Sequence, residues 1–458
     1  LQISSGVTLT LVGDMDLKGD LTNNGTFIVN SGSSLLTYDS NITTGDITIK
    51  RNTRYSDGRY SFVGSPMQAD ASITGAQLGE YVYRYSEAAN HDVNGLNRWI
   101  DASMTELVPG HGYTQANQQE ISFTGQPNTG AVYYIGTNAN DGYQLVSNPY
   151  AAAIDIDAFI DDNLNITGSV YIWDDNSSDT GRGSSSDYIV ANKMGATDSN
   201  GPDNDDRWNG HIGSMQGFFV QLIGVATVVN FKQDMRVLGQ NADGNFFRTN
   251  TSKHAILRIN LSSDLGLFKQ ALLGWDEMIP NDEIVRGWDA PVFNETGSNM
   301  VFTTKADQPL TIQTIDSDGD EIPLTFDVQE EGLYTITLDH RESLGHFMYL
   351  YDQETEEVID ATQGYEFFTR AGRHDRFKLI KSKRVLGLTD SELLIYTEGK
   401  TLFIQPSDQE ERTIQVIDLS GRTVLTRVST GEFKETLSVP AGAYIVTDGT
   451  ITKKVILK

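Results

Sequence analysis

The run Asp316-Ser-Asp-Gly-Asp320-Glu321 sets carboxylates at alternate positions around a glycine. A hard cation takes several oxygens within one tight turn, so Asp316, Asp318 and Asp320 are the first candidates for Ca²⁺. The run departs from a full calcium loop, because its twelfth position is Asp327, not Glu, and because strand patterns, not helices, flank it. A plain solvated acidic turn is the competing reading. Asp198, Asp203, Asp205 and Asp206 make a second acidic stretch, and Asp174, Asp175 and Asp179 a third.

Other chemistries find no residues. The seven histidines are His91, His111, His211, His254, His340, His346 and His374, and none has His-Glu-x-x-His spacing. There is no Gly-x-Ser-x-Gly elbow and no phosphate loop. With 62 carboxylates, any glycosidase pair would be arbitrary. Cysteine is absent, which excludes disulfides, thiolate zinc sites and cysteine nucleophiles. The expectation is a protein that is not an enzyme. His111 and His211 fall near corresponding Gly-aromatic segments of an internal repeat, and a shared site there competes with a structural role.

The balance of 34 basic and 62 acidic residues gives a net charge of −28. Such a chain repels nucleic acid and anionic lipid. No apolar run approaches the ~18 residues of a transmembrane helix.

Short period-two apolar runs punctuated by 43 glycines point to an all-β fold of several sandwich-like domains in tandem. Residues 1–50 show apolar pairs with Asn/Gly corners, such as Asn23-Asn24-Gly25. They suggest the end of a β-helix or solenoid, with a β-meander as the alternative.

Residues 51–250 hold a duplicated unit, with copies over about 51–130 and 131–250. Tyr60-Ser-Phe-Val-Gly-Ser-Pro66 returns as Tyr143-Gln-Leu-Val-Ser-Asn-Pro149. Tyr81–Tyr85 is matched by Val170–Trp173, and Asn97-Arg-Trp99 by Asp206-Arg-Trp208. Pro109–Tyr113 is matched by Met215–Phe219, and Ile121–Phe123 by Val229–Phe231. Five landmarks in one order argue for duplication. On this alignment Asp174–Asp206 is an inserted exposed loop, and Ile156, Phe159, Ile160 and Leu164 lie on one short helix. The recurrent aromatics Tyr83, Tyr85, Trp99, Tyr171, Trp173 and Trp208 read as shared core, or alternatively as a platform for sugar rings. Residues 251–382 give evenly spaced strands of a β-sandwich, and 383–390 a linker after the basic run Lys381-Ser-Lys-Arg384.

The last stretch reads Val416-Ile-Asp418-Leu-Ser-Gly421-Arg422, then Val439-Pro440-Ala-Gly442-Ala-Tyr444-Ile-Val446, then Lys453-Lys454-Val-Ile-Leu457. These elements, over residues 391–458, resemble the type A C-terminal sorting domain of type IX secretion cargo. The motif residues are Asp418, Gly421, Arg422, Pro440, Gly442, Tyr444 and Lys454. The phrases around Gly142–Tyr150 and Gln216–Val220 also resemble a region that often precedes that domain in large surface proteins.

The resemblance implies an Ig-like terminal domain and export across the outer membrane of a Gram-negative bacterium. It implies as partners an outer-membrane translocon, a shuttle protein and a sortase that cuts near the linker. Export across the inner membrane must come first, so sequence upstream of Leu1 is expected. The resulting expectation is an extracellular or cell-surface adhesin or structural protein. One alternative is a self-assembling subunit of a filament or sheath. Another is a set of accessory modules of a larger secreted hydrolase. Surface glycans are a candidate ligand under each.

Overall fold

The computed structural model describes residues 1–40, 43–53, 59–88, 98–116, 119–174, 188–199, 209–225, 227–241, 254–293, 299–316, 321–343, 346–381, 393–406, 411–449 and 451–457. Among these the chain is almost wholly β, as the patterning requires, with one short α-helix.

Strands β1 (Gln2–Ile3), β2 (Thr8–Leu11) and β3 (Asp14–Asp16) make one coil. The next holds β4 (Leu21–Asn23), β5 (Thr26–Val29) and β6 (Ser34–Leu36), and β7 (Thr43–Thr44) and β8 (Ile47–Asn52) begin a third. Equivalent strands pair in parallel, in the ladders β1-β4-β7, β2-β5-β8 and β3-β6. This is solenoid stacking. Gly25 sits at the corner because a Cβ there would lie 2.3 Å from the Val7 carbonyl oxygen. Phe27, Val29, Ile47 and Ile49 share one core with Tyr113, Ile121 and Phe123 of the next unit. The expected boundary at residue 50 therefore falls inside β8, a strand that belongs to both.

The first copy of the repeat contains β9 (Tyr60–Val63), β10 (Tyr83–Tyr85), β11 (Trp99–Asp101), β12 (Tyr113–Ala116) and β13 (Glu120–Gly125). The second opens with β14 (Val132–Ile135), β15 (Tyr143–Ser147), β16 (Ala153–Asp155), α1 (Ile156–Asp162), β17 (Ile166–Trp173) and β18 (Tyr188–Ala191). It closes with β19 (His211–Ile212), β20 (Gly217–Leu222), β21 (Val228–Phe231) and β22 (Arg236–Val237). Strand order is β11-β10-β12-β9 in one copy and β18-β17-β20-β15 in the other, the same arrangement of equivalent strands. β13 pairs with β8 as β21 pairs with β14.

The copies meet through a pseudo-two-fold exchange. The amide of Gly64 donates to the Met215 carbonyl, and that of its equivalent Ser147 donates to Gly110, both at 2.9 Å. Val63 bridges Gln216 while Val146 bridges His111. Gly110 and Met215 both hold positive φ, +79° and +64°.

Four expectations change here. Trp99 opposes Tyr85 in register, and the matching pair in the second copy is Trp173 with Tyr188. Tyr188, not Trp208, thus holds the place of Trp99, and Trp208 lies outside the described residues. Within the expected exposed insertion, Tyr188–Ala191 is a buried strand and Asp174 is buried against the Ser199 hydroxyl. Its Gly, Ser and Asp composition hid one apolar strand. His111 is equivalent to Gln216, not to His211, which sits on β19 beside Asp155. The helix forms on an Asp155 cap that accepts from the Ala158 amide at 2.9 Å. It ends at Asn163, so Leu164 leaves the apolar face and is exposed.

The third unit starts with β23 (Ala255–Ser263), β24 (Phe268–Trp275), β25 (Ala290–Pro291), β26 (Met300–Lys305), β27 (Gln308–Ile315) and β28 (Glu321–Val328). It continues with β29 (Gly332–Glu342), β30 (Tyr349–Asp352), β31 (Glu357–Ile359), β32 (Tyr365–Thr369) and β33 (Gly372–Ile380). These make one continuous sheet, β31-β30-β33-β28-β26-β27-β24-β23-β29-β32, with β25 also on β27. The sheet folds over its own core. Phe367 on one edge strand lies 4.9 Å from Phe377 and 5.3 Å from Phe326, near the opposite edge. Register breaks at Ile256/Arg258 and Leu324/Phe326 supply the bends.

The final unit has β34 (Leu393–Glu398), β35 (Thr401–Pro406), β36 (Arg412–Asp418), β37 (Thr423–Ser429), β38 (Phe433–Thr436), β39 (Gly442–Thr447) and β40 (Thr452–Leu457). A three-stranded sheet, β34-β35-β38, and a four-stranded sheet, β37-β36-β39-β40, enclose Ile395, Ile404, Val416, Val446 and Leu457.

Candidate functional site

β36 ends in a closed turn. One Asp418 carboxylate oxygen accepts from the amides of Ser420 and Arg422 at 2.9 and 3.0 Å and from the Ser420 hydroxyl at 2.5 Å. The other accepts from the Arg422 guanidinium at 3.0 Å. Hydrogen bonding, first from the Ser420 hydroxyl, holds the Asp418 carboxyl down at about 2. Gly421 sits at φ +86°, which is why glycine precedes the arginine. Apart from this ion pair the Arg422 side chain is open to solvent, 74 % exposed.

A second corner lies beside this turn. The Tyr444 hydroxyl donates to the Pro440 carbonyl at 2.8 Å, tying the start of β39 to the loop before it. Gly442 stands between them. Asp418 and Tyr444 are direct Cα partners in the β36–β39 ladder, and Tyr444 in turn opposes Val455. Lys454, one place before Val455 on β40, is exposed. The seven singled-out residues therefore converge on one region of one four-stranded sheet. The Tyr corner also recurs in the third unit, where the Tyr334 hydroxyl donates to Glu330 at 2.8 Å. In both cases a Gly-x-Tyr opens the strand, a signal the sequence carries.

In the acidic turn, Asp316 follows directly on β27. Asp316 accepts from the Asn281 amide group at 2.5 Å and donates its own amide to Asn281 at 2.9 Å. Asp318 and Asp320 lie outside the described residues, as do Asp203, Asp205, Asp206, Asp175 and Asp179. Among the described residues no three His, Asp or Glu side chains form a group that could hold a metal.

The described histidines are scattered, most against rings. Burial pushes His111, beside Tyr134, and His340, stacked 3.7 Å from Phe347, each down to about 4. His346 stacks on Trp275, His374 on Phe326, and His254 meets Trp288 edge-on. His91 lies outside the described residues.

The recurrent aromatics pack together. Phe62 touches Trp99, Trp173, Tyr188 and Phe219, and Phe219 meets Tyr85 at 4.9 Å. Tyr171 is fully buried. This cluster joins both copies to the third unit through Ile256, Leu272 and Ile312. Burial pushes the Tyr85 hydroxyl up to about 12, and Arg98 donates to it at 2.6 Å. Sequence reasoning missed Glu87, whose buried carboxylate gathers the amides of Ala139, Asn140 and Gly142 and the Thr137 hydroxyl. It ties the first copy to the loop before β15.

Where the second copy meets the third unit, a small open cleft is lined by Tyr188, Phe293, Asp198, Lys269, Gln270 and Asn299, among others. No helix among the described residues is long and apolar enough to cross a membrane.

A comparison with curated proteins gives no match. Residues 1–380 match the family described as a domain of unknown function, DUF8693, and the match stops at the last residue of β33. The two-sheet unit of residues 393–457 lies beyond it. With 380 of its 458 residues matched, the chain belongs to that family.

Proposed function

We propose that this is a non-enzymatic adhesin or structural protein of the cell surface, exported by type IX secretion through residues 391–458 acting as an Ig-like sorting domain. The observation that carries this reading is the convergence of Asp418, Gly421, Arg422, Pro440, Gly442, Tyr444 and Lys454 on one sheet of the final two-sheet unit. The β36-β39-β40 ladder brings these residues, spread over 37 positions of the chain, to one end of the sheet, where Arg422 and Lys454 are exposed and buried Tyr444 holds the neighbouring loop. The separate core of that unit supports its handling as an independent module.

Under this reading the translocon and shuttle engage the unit, and a sortase cuts near residues 383–390. A surface glycan would meet the polar side chains of Asp198, Lys269, Gln270 and Asn299 that line the cleft beside Tyr188 and Phe293, at the edge of the aromatic core. Calcium at the Asp316 turn would be an accessory feature of the same surface protein.

Intact mass spectrometry of the protein recovered from the cell surface or medium tests the processing step. A C-terminus near residue 385 is expected. A chain still ending at Lys458 would overturn cleavage and favour the alternative in which the unit is retained as part of an assembly.

A further inference from the structure

The repeat offers an internal control for its own surface. In the first copy, β8 is covered on both edges, by β13 on one side and by the parallel strand β5 on the other. Its equivalent β14 has β21 on one edge and, among the described residues, no strand on the other. The outward positions differ in chemistry as well. Lys50 and Asn52 on β8 correspond to Tyr133 and Ile135 on β14, and Glu120 corresponds to Val228. Lys50 pairs with Glu120 at 2.8 Å in the first copy, whereas Ile135 and Val228 are opposed and exposed in the second, 71 % and 38 %.

Since one scaffold carries a polar face in one copy and an apolar face in the other, the apolar choice is not imposed by folding. The patch extends sideways. Asn165 donates to the Val228 carbonyl and accepts from the Ile223 amide, which brings exposed Leu164 and Ile223 alongside. An uncharged, proline-free edge beside exposed apolar side chains pairs with any available strand unless something covers it.

We propose that the free edge of β14 is a docking site for one extended strand of a partner polypeptide. That strand carries apolar residues at alternate positions and no acidic residue. It adds to β14 as β5 adds to β8, and its side chains pack beside Tyr133 and Ile135. The established β5–β8 contact fixes the mode as strand addition. The net charge of −28 selects a neutral or basic strand over a second copy of this chain.

The probe is a labelled synthetic peptide with the sequence of residues 24–31, the uncharged segment containing β5. Its affinity for the full chain is measured by fluorescence anisotropy, with amide exchange followed over residues 132–135. Saturable binding, slower exchange in β14, and at least tenfold weaker binding to Ile135→Asp are expected. Asn52→Asp, at the equivalent place in the first copy, should bind like the parent, and unchanged melting of both variants excludes misfolding. Absence of binding up to millimolar peptide, or binding insensitive to Ile135→Asp, overturns the proposal. So does concentration-dependent self-association abolished by Ile135→Asp, which would make a second copy the occupant.

Discussion

Asp418 and Tyr444 stand directly opposite each other in the β36–β39 ladder, each fixing a turn with its own side chain. The first clamps the Asp-Leu-Ser-Gly-Arg hairpin tip, and the second ties β39 to Pro440. Their register holds the two turns side by side at one end of the sheet.

The Asp418 turn has a pH signature. Its carboxyl is held at about 2, below the ordinary carboxylate value, so its contribution is complete above about pH 4 and is lost as pH falls through 2. An NMR titration of the Asp418 carboxyl should show a midpoint near 2, and Ser420→Ala should move it up. A midpoint near the ordinary value would mean the turn is open in solution.

The junction between the copies leaves no room at Gly64. A Cβ there would sit 1.9 Å from the Ser147 hydroxyl oxygen and 2.5 Å from the Ser147 Cβ. Gly64→Ala should destabilise the chain by about 2–3 kcal/mol, measured by urea denaturation. Adding Ser147→Gly should recover about 1 kcal/mol or more, because the two side chains compete for one space. Independent, additive effects would argue against the pseudo-two-fold contact.

Lys305 and Asp289 form a fully buried ion pair at 2.8 Å. The carboxylate also accepts from the amides of Val285 and Thr314, and the ammonium donates to the Thr314 carbonyl. Lys305→Met strands the carboxylate and should cost about 3–5 kcal/mol. Replacing both partners by apolar residues of similar volume should cost less than that single change.

His340 is buried neutral, stacked on Phe347, with its folded value pushed down to about 4. The unfolded chain binds the proton first, at about 6.5, so stability falls as pH drops from 6.5 towards 4. The loss from this one group is about 3 kcal/mol at pH 4. His340→Phe should flatten that slope in denaturation curves recorded from pH 7 to 4.

Much of the fold is legible in local pattern. The duplicated unit shows in Tyr60–Pro66 and Tyr143–Pro149 because both segments meet the same junction, which constrains each side chain. The parallel ladders of residues 1–52 show in apolar pairs recurring about 20 residues apart. What sequence hides is non-local. Tyr188–Ala191 is four residues inside a polar stretch, too short for a periodicity to register. The continuity of the third sheet depends on β24 pairing with β27 across 40 positions, from Leu272 to Ile312. In the candidate site, the motif residues could be named from sequence order. Their convergence could not, because Asp418 meets Tyr444 only through strand register. Glu87 gave no signal, since its partners are backbone amides more than 50 residues away.

The most direct test of the central claim is the location of a reporter. Residues 383–458 are fused to a fluorescent protein carrying an inner-membrane export signal and expressed in a bacterium with a type IX system. Fluorescence at the cell surface or in the medium, and confined to the periplasm when the translocon is deleted, is the predicted result. A reporter that stays in the periplasm of the intact strain would contradict the account.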